Sequence, residues 1–181
     1  MKVFILLVVA LTACHQPSRV SNIRDAVSDV QPIEYEVYSY LLRAYGITSP
    51  ARVADSTMKA NTLTASNCAV LRKGRYCPVE ALADFARKNQ QAWRLDSRFA
   101  KALNVKVARE SPFIEPTCRA PTTVVFSRVG VNPEKTEAVV EIDYRTGKGP
   151  APPCGFSAGD ILILRRSGKT WKTETILSFI S

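Results

Sequence analysis

"TTVVFSRVGVNPEKTEAVVEIDYRTG", Thr122 to Gly147, decides the fold class. Valine, threonine and aromatic residues crowd both halves, and "VNPEKT" between them is short enough to force a hairpin. In the second half Ala138, Val140, Ile142 and Tyr144 alternate with Glu137, Glu141 and Asp143, so a period of two gives one face to a core and the other to water. Two further runs of the same kind follow, "DILILRRSG" and "KTWKTETILSFIS", joined by the tight turn "RSGKT". Ile161 to Leu164 is apolar on both faces, which suits a central strand. The expectation is a four-stranded antiparallel meander at the C-terminal end. The insert "RTGKGPAPPCGFSAG" separates its second and third strands.

Upstream the period changes. "PIEYEVYSYLLRAYG", Pro32 to Gly46, runs from proline and acids to arginine and glycine, the charge order of a helix, with Ile33, Val37, Tyr40, Leu41, Ala44 and Tyr45 on one stripe. "ARVADSTMKANTLTA" alternates weakly, with Val53, Asp55 and Thr57 opposite Ala54, Ser56 and Met58, and reads as an early strand. "PVEALADFARKNQQAW", Pro78 to Trp93, has proline in the first turn, Glu80 and Asp84 early and Arg87 and Lys88 late; Leu82, Phe85, Ala86 and Trp93 would face inward. "LDSRFAKALNVKV" offers Asp96 as a cap to a short third helix. The fold expected is therefore α+β: the meander packed against two or three N-terminal helices.

The N-terminus carries an address. Lys2 precedes an apolar stretch from Val3 to Ala13 that is too short to span: eleven residues of helix rise about 16 Å against roughly 30 Å of hydrocarbon. The pattern is that of an export signal. Leu11-Thr12-Ala13-Cys14 resembles a bacterial lipobox. The resemblance implies cleavage before Cys14, diacylglycerol on its sulfur and an acyl chain such as palmitate on the freed amine, enough grease for a stable anchor. Residues 1–13 are then a signal peptide, 14–31 a polar tether with two prolines, and 32–181 a single domain. His15 is not the aspartate associated with inner-membrane retention, so a lipid-anchored envelope protein at the outer membrane, facing the periplasm, is the implied location in a double-membraned cell.

With Cys14 spent on lipid, Cys68, Cys77, Cys118 and Cys154 remain, an even set in an oxidising compartment, where disulfides are the default. Of three pairings, the short loop CAVLRKGRYC favours Cys68 with Cys77 and leaves Cys118 with Cys154. A four-thiolate zinc site is disfavoured by the lack of any CxxC spacing. No metal and no cofactor are expected.

A leaderless chain has 24 basic residues against 16 acidic, a net charge of +8. Such a surface suits acidic partners, an acidic protein or an anionic envelope component; export removes nucleic acid as a target. The single histidine, His15, lies beside the anchor, so histidine-based catalysis fails and the chain reads as no enzyme. Glu137, Glu141 and Asp143 are the remaining acid and base candidates, and they read better as cross-strand partners of Arg165 or Lys172. Within the small loop, Arg72, Lys73, Arg75 and Tyr76 form a basic, aromatic-edged tip clamped by its expected disulfide, the preferred partner-binding site.

"FSRVGVNPEKTEAVVEIDY", the cysteine and glycine insert, and the closing "SGKTWK" strand resemble an uncharacterised, DUF-like group of bacterial secreted proteins and lipoproteins. "EYEVYSYLL" and "DFARKNQQAWRLDSRF" resemble its upstream helices. The resemblance spans roughly Glu34 to Ser181 and implies an α+β fold with no activity attached to any residue. Two function classes are expected from these features: a binding or inhibitor/immunity-type module for an anionic partner, or a structural accessory lipoprotein docking through the last strand, TILSFIS.

Overall fold

Strand-forming residues dominate the C-terminal third, and in the computed structural model they build most of one seven-stranded sheet. The structure describes residues 30–47, 52–60, 68, 76–96, 99, 104–108, 122–145 and 157–180. Its elements are α1 (Pro32–Ala44), β1 (Arg52–Ala54), α2 (Val79–Lys88), β2 (Lys106–Ala108), β3 (Thr123–Phe126), β4 (Gly130–Val131), β5 (Glu137–Arg145), β6 (Ser157–Ser167) and β7 (Thr170–Ile180). The strands lie in the order β2-β1-β3-β5-β6-β7, with β4 also pairing β5. The class is α+β in the coarse sense, but a four-stranded meander is too narrow a description. β1 pairs in parallel with both β2 and β3, so the sheet is mixed. The first expected strand is broken in two, as β3 and β4.

Both hairpin turns lie where the sequence places them. Ser167 pairs Thr170 across Gly168 and Lys169, and Gly168 takes the positive φ of +62° that such a tight turn needs. Between β4 and β5, the Asn132 side chain accepts from the backbone N–H groups of Thr136 and Glu137, both at 2.9 Å, and so closes the turn itself.

Helices α1 and α2 cover opposite faces of the sheet. Against one face, α1 lays Ile33, Val37, Tyr38, Leu41 and Leu42 onto Val124, Phe126, Val140, Ile142, Leu162 and Leu164, and Tyr38 stacks on Phe126 with ring centroids 4.8 Å apart. Against the other, α2 packs Ala81, Leu82 and Phe85 on Val139, Ile161 and Ile163, together with Cys68. This corrects the wet face expected for β5: Glu141 is 6% exposed, and Glu137 and Asp143 are only half-exposed. Alternation in β5 separates two packed surfaces; what distinguishes them is which helix sits above.

Other expectations shift by a turn or less. The buried stripe of α1 includes Glu34, Tyr38 and Leu42, while Tyr40 and Tyr45 are half-buried and Ala44 is exposed. Helix α2 stops at Lys88, because Asn89 folds its side chain back onto the Phe85 carbonyl at 2.9 Å; Ala86 is only half-buried, and Trp93 leaves the helix to join the core under α1. The early strand shrinks to three residues, continued by isolated bridges from Ser56 to Arg94 and from Met58 to Ser127. Of the stretch read as a third helix, Leu95 to Val107, residues 97, 98 and 100–103 lie outside the described residues, and its end is not helix: Lys106 and Val107 belong to β2, paired in parallel with β1.

Gly130 sets the closeness of α2 to the sheet. A Cβ there would overlap the Ala81 carbonyl oxygen and the Phe85 backbone nitrogen, neither of which can rotate away. Gly130→Ala is therefore expected to destabilise the fold by about 3 kcal/mol, the upper range for an overpacked interior, as a lowered denaturant midpoint with an unchanged slope.

Candidate functional site

The register between β3, β4 and β5 carries an extra residue. Phe126 faces Ile142 and Gly130 faces Val139, so Ser127, Arg128 and Val129 oppose only Val140 and Glu141: a β-bulge. All three bulge residues are buried, with exposures of 0%, 3% and 0%. A bulge breaks the ladder, and a broken ladder in a dry interior leaves backbone groups that must bond elsewhere.

Side chains from both helices supply the partners. Tyr38 of α1 donates its hydroxyl to the Ser127 carbonyl at 2.8 Å. Asn89, just past α2, accepts from the Arg128 N–H at 2.7 Å and donates to the Arg128 carbonyl at 2.9 Å. Glu34 accepts from the Val129 N–H at 3.0 Å, and Lys88 donates to the Val129 carbonyl at 3.0 Å. Asp84 accepts from the Val131 N–H at 2.9 Å. Opposite the bulge, the Glu141 N–H reaches the Ser127 hydroxyl at 2.8 Å.

The same side chains form an alternating chain of charge. Arg128 clamps Glu34 through Nε at 2.8 Å and Nη2 at 2.7 Å, while its guanidinium lies 5.1 Å from the centroid of the Trp93 ring. Lys88 stands between Glu34, at 3.5 Å, and Asp84, at 2.8 Å. Asp84 also pairs with Arg87. Burial alone would raise the Asp84 carboxyl, but the bonds from Lys88 and the Val131 N–H, with the Lys88 charge, hold it below the ordinary carboxylate value. Asp84 is an anion that stays an anion, unsuited to donating a proton.

Two shallow grooves, each of about 420 Å³, flank this chain. One has Glu80, Asp84, Lys88 and Lys135 in its wall; the other has Arg87, Lys88, Arg128 and Trp93. Among the described residues no three His, Cys, Asp or Glu side chains gather as a metal site, and no helix is long and apolar enough to cross a membrane.

A second cluster lies on the α2 face. Cys68 and Cys77 are disulfide-bonded, and Cys68 is fully buried in the core beneath α2. Next to it Tyr76 is 59% exposed, donates its hydroxyl to Glu137 at 2.9 Å, and has the Arg165 guanidinium 5.9 Å from its ring centroid. The hydrogen bond to Glu137 raises the Tyr76 phenol above its usual value. Glu137 and Arg165 face each other across β5 and β6 and pair at 3.4 Å, the cross-strand partnership read from the sequence. The basic residues of the loop, Arg72, Lys73 and Arg75, lie outside the described residues, as do Cys14, Cys118 and Cys154.

Sequence reasoning missed Glu34, Asp84, Lys88, Asn89, Trp93 and Arg128 as one constellation. A signal was present: in "VVFSR" a period of two places Val124, Phe126 and Arg128 on the same face, and an arginine at an inward position demands a buried anion. Comparison of the chain with protein-family models, curated proteins and solved structures finds no match.

Two outcomes follow from this geometry. Asn89→Ala removes two hydrogen bonds to the buried backbone of Arg128, whose carbonyl then keeps the Ser127 hydroxyl, and is expected to cost on the order of 2 kcal/mol in chemical denaturation, where Gln90→Ala, at an exposed position, costs under about 1 kcal/mol. Because the Asp84 carboxyl is lowered in the folded state, its stabilisation is complete above the unfolded value of about 3.9 and is lost as pH falls through the folded one. Asp84→Asn should therefore flatten the fall of the denaturant midpoint below about pH 4, and an unchanged acid slope would contradict the assignment.

Proposed function

We propose that this chain is a lipid-anchored bacterial envelope protein, tethered through Cys14, whose α+β domain binds an anionic partner as an inhibitor or immunity-type module. The recognition element is the disulfide-clamped loop with Arg72, Lys73, Arg75 and Tyr76. One observation carries the reading: the base of that loop is fixed while its edge is open. The Cys68–Cys77 bridge is sunk in the core under α2, and Tyr76, held by Glu137 and flanked by Arg165, stands 59% exposed beside it. A loop set on so firm a base loses little conformational entropy when it binds, so its cations retain more of their attraction. The net charge of the chain has the right sign for such a partner.

A second reading, an accessory lipoprotein of an envelope or secretion complex, is supported by β7. It ends the strand order, and Ile176 on it is 50% exposed, so its edge could extend a partner's sheet.

Capture from envelope extract separates the two. The binding-module reading expects a partner retained at low salt, released at high salt, and lost when Arg72, Lys73 and Arg75 all become glutamate. A partner that survives both changes and co-migrates in size-exclusion chromatography assigns the contact to β7 instead. The anchor has its own check: intact-mass measurement is expected to show the chain beginning at a triacylated Cys14, and Cys14→Ser to release it from the membrane fraction.

A further inference from the structure

The groove at the C-terminal end of α2 has an unusual wall. Its charged residues are Arg87, Lys88 and Arg128, its amides are Gln31, Gln90 and Gln91, and among the described residues no carboxylate lines it. Lys88 and Arg128 are themselves buried, at 6% and 3% exposure, and are fixed by Glu34 and Asp84 behind the wall. Three cations against those two carboxylates leave one surplus positive charge. Arg87 carries the exposed part of that charge, with a side chain 71% exposed and paired with Asp84.

Trp93 supplies the second observation. It lines this groove, is 9% exposed, and its indole N–H has no acceptor among the described residues. That nitrogen is itself sealed from solvent, so Trp93 serves the groove as a wall and a reporter rather than as a donor. The last turn of α2 would ordinarily repel an anion through its free carbonyls. Here Asn89 caps the Phe85 carbonyl at 2.9 Å and Gln90 caps that of Ala86 at 2.7 Å, which blunts the repulsion. The groove thus presents cations and amides that both give and accept hydrogen bonds.

We propose that this groove binds an anionic monosaccharide unit, whose charged group meets Arg87, whose hydroxyls pair with the glutamine amides, and whose ring lies against the wall that Trp93 helps to form. A volume of about 420 Å³ sits within the roughly 300–1,000 Å³ of small-ligand sites. Solvated hydroxyls alone would leave the surplus charge unused, so a neutral sugar is excluded as the preferred ligand. The carboxylate of a sugar acid and the phosphate of a sugar phosphate share the required chemistry. The site is separate from the Cys68–Cys77 loop and does not rest on the function proposed for it.

The chain has two tryptophans, so its ¹⁵N spectrum has two indole N–H signals, and Trp171→Phe assigns them. The test titrates the full chain in non-ionic detergent with glucuronic acid, glucose 6-phosphate and glucose at millimolar levels. A saturable shift of the Trp93 signal with either anion, the Trp171 signal unmoved, supports the proposal. A response to glucuronic acid alone identifies a carboxylate ligand, and one to glucose 6-phosphate alone a phosphate ligand. Arg87→Gln, at an exposed position, should weaken that response at least tenfold. A Trp93 signal indifferent to both anions, an equal response to glucose, or full binding by the Arg87→Gln variant overturns it.

Discussion

One buried irregularity organises the molecule. Ser127, Arg128 and Val129 form a bulge in the middle of the sheet, out of reach of water, and their backbone groups require partners that neighbouring strands no longer provide. The fold answers with side chains: Tyr38 and Glu34 from above, Asn89 and Lys88 from below. Helices on opposite faces are thereby joined through the sheet by hydrogen bonds as well as by packing. Apolar contacts alone would hold α1 against the strands but would tolerate a slide along its axis. Polar contacts have no such tolerance, because a shift of one turn leaves several buried groups unpaired.

The charges follow from the same constraint. A glutamate that accepts the Val129 N–H in a dry interior is costly as an isolated anion, so Arg128, from the bulge itself, grips it with two nitrogens. Lys88 bonds the Val129 carbonyl and then needs a counter-charge, which Glu34 and Asp84 share. Asp84 in turn reaches the second residue pair beyond the bulge through the Val131 N–H. Ion pairs of this kind add little net stability over an apolar core, yet removing one member strands the rest, so they act chiefly to define one arrangement.

Local physics made much of the sheet legible from the sequence. The alternation of Ala138 to Tyr144, the apolar run of Ile161 to Leu164 and the two turns are short-range patterns, and the Glu137–Arg165 pairing follows from register once the strands are set. The charge order of α2 likewise reflects its own dipole. What was hidden is nonlocal. Glu34 looks like a helix-start acid, and nothing within its own turn announces an arginine 94 residues away. Three-residue strands such as β1 and β2 owe their existence to parallel neighbours rather than to propensity. The second face of β5 was read as wet because its acids are charged, whereas α2 and its neighbours cover them by pairing or packing. The disulfide was legible from spacing alone; its burial under α2 was not.

Helix α2 links the two surfaces proposed to bind. Its first turn follows Cys77 and Pro78, beside Tyr76, and its last turn carries Arg87 and Lys88 into the groove at Trp93. Ten residues of helix hold these ends about 15 Å apart. Between them the helix is seated without play: Gly130 brings the strand backbone against Ala81 and Phe85, and Asp84 and Lys88 bond the same strand. The groove end of α2 is thus part of the buried network itself, because Lys88 and Arg128 line the groove and also hold Glu34.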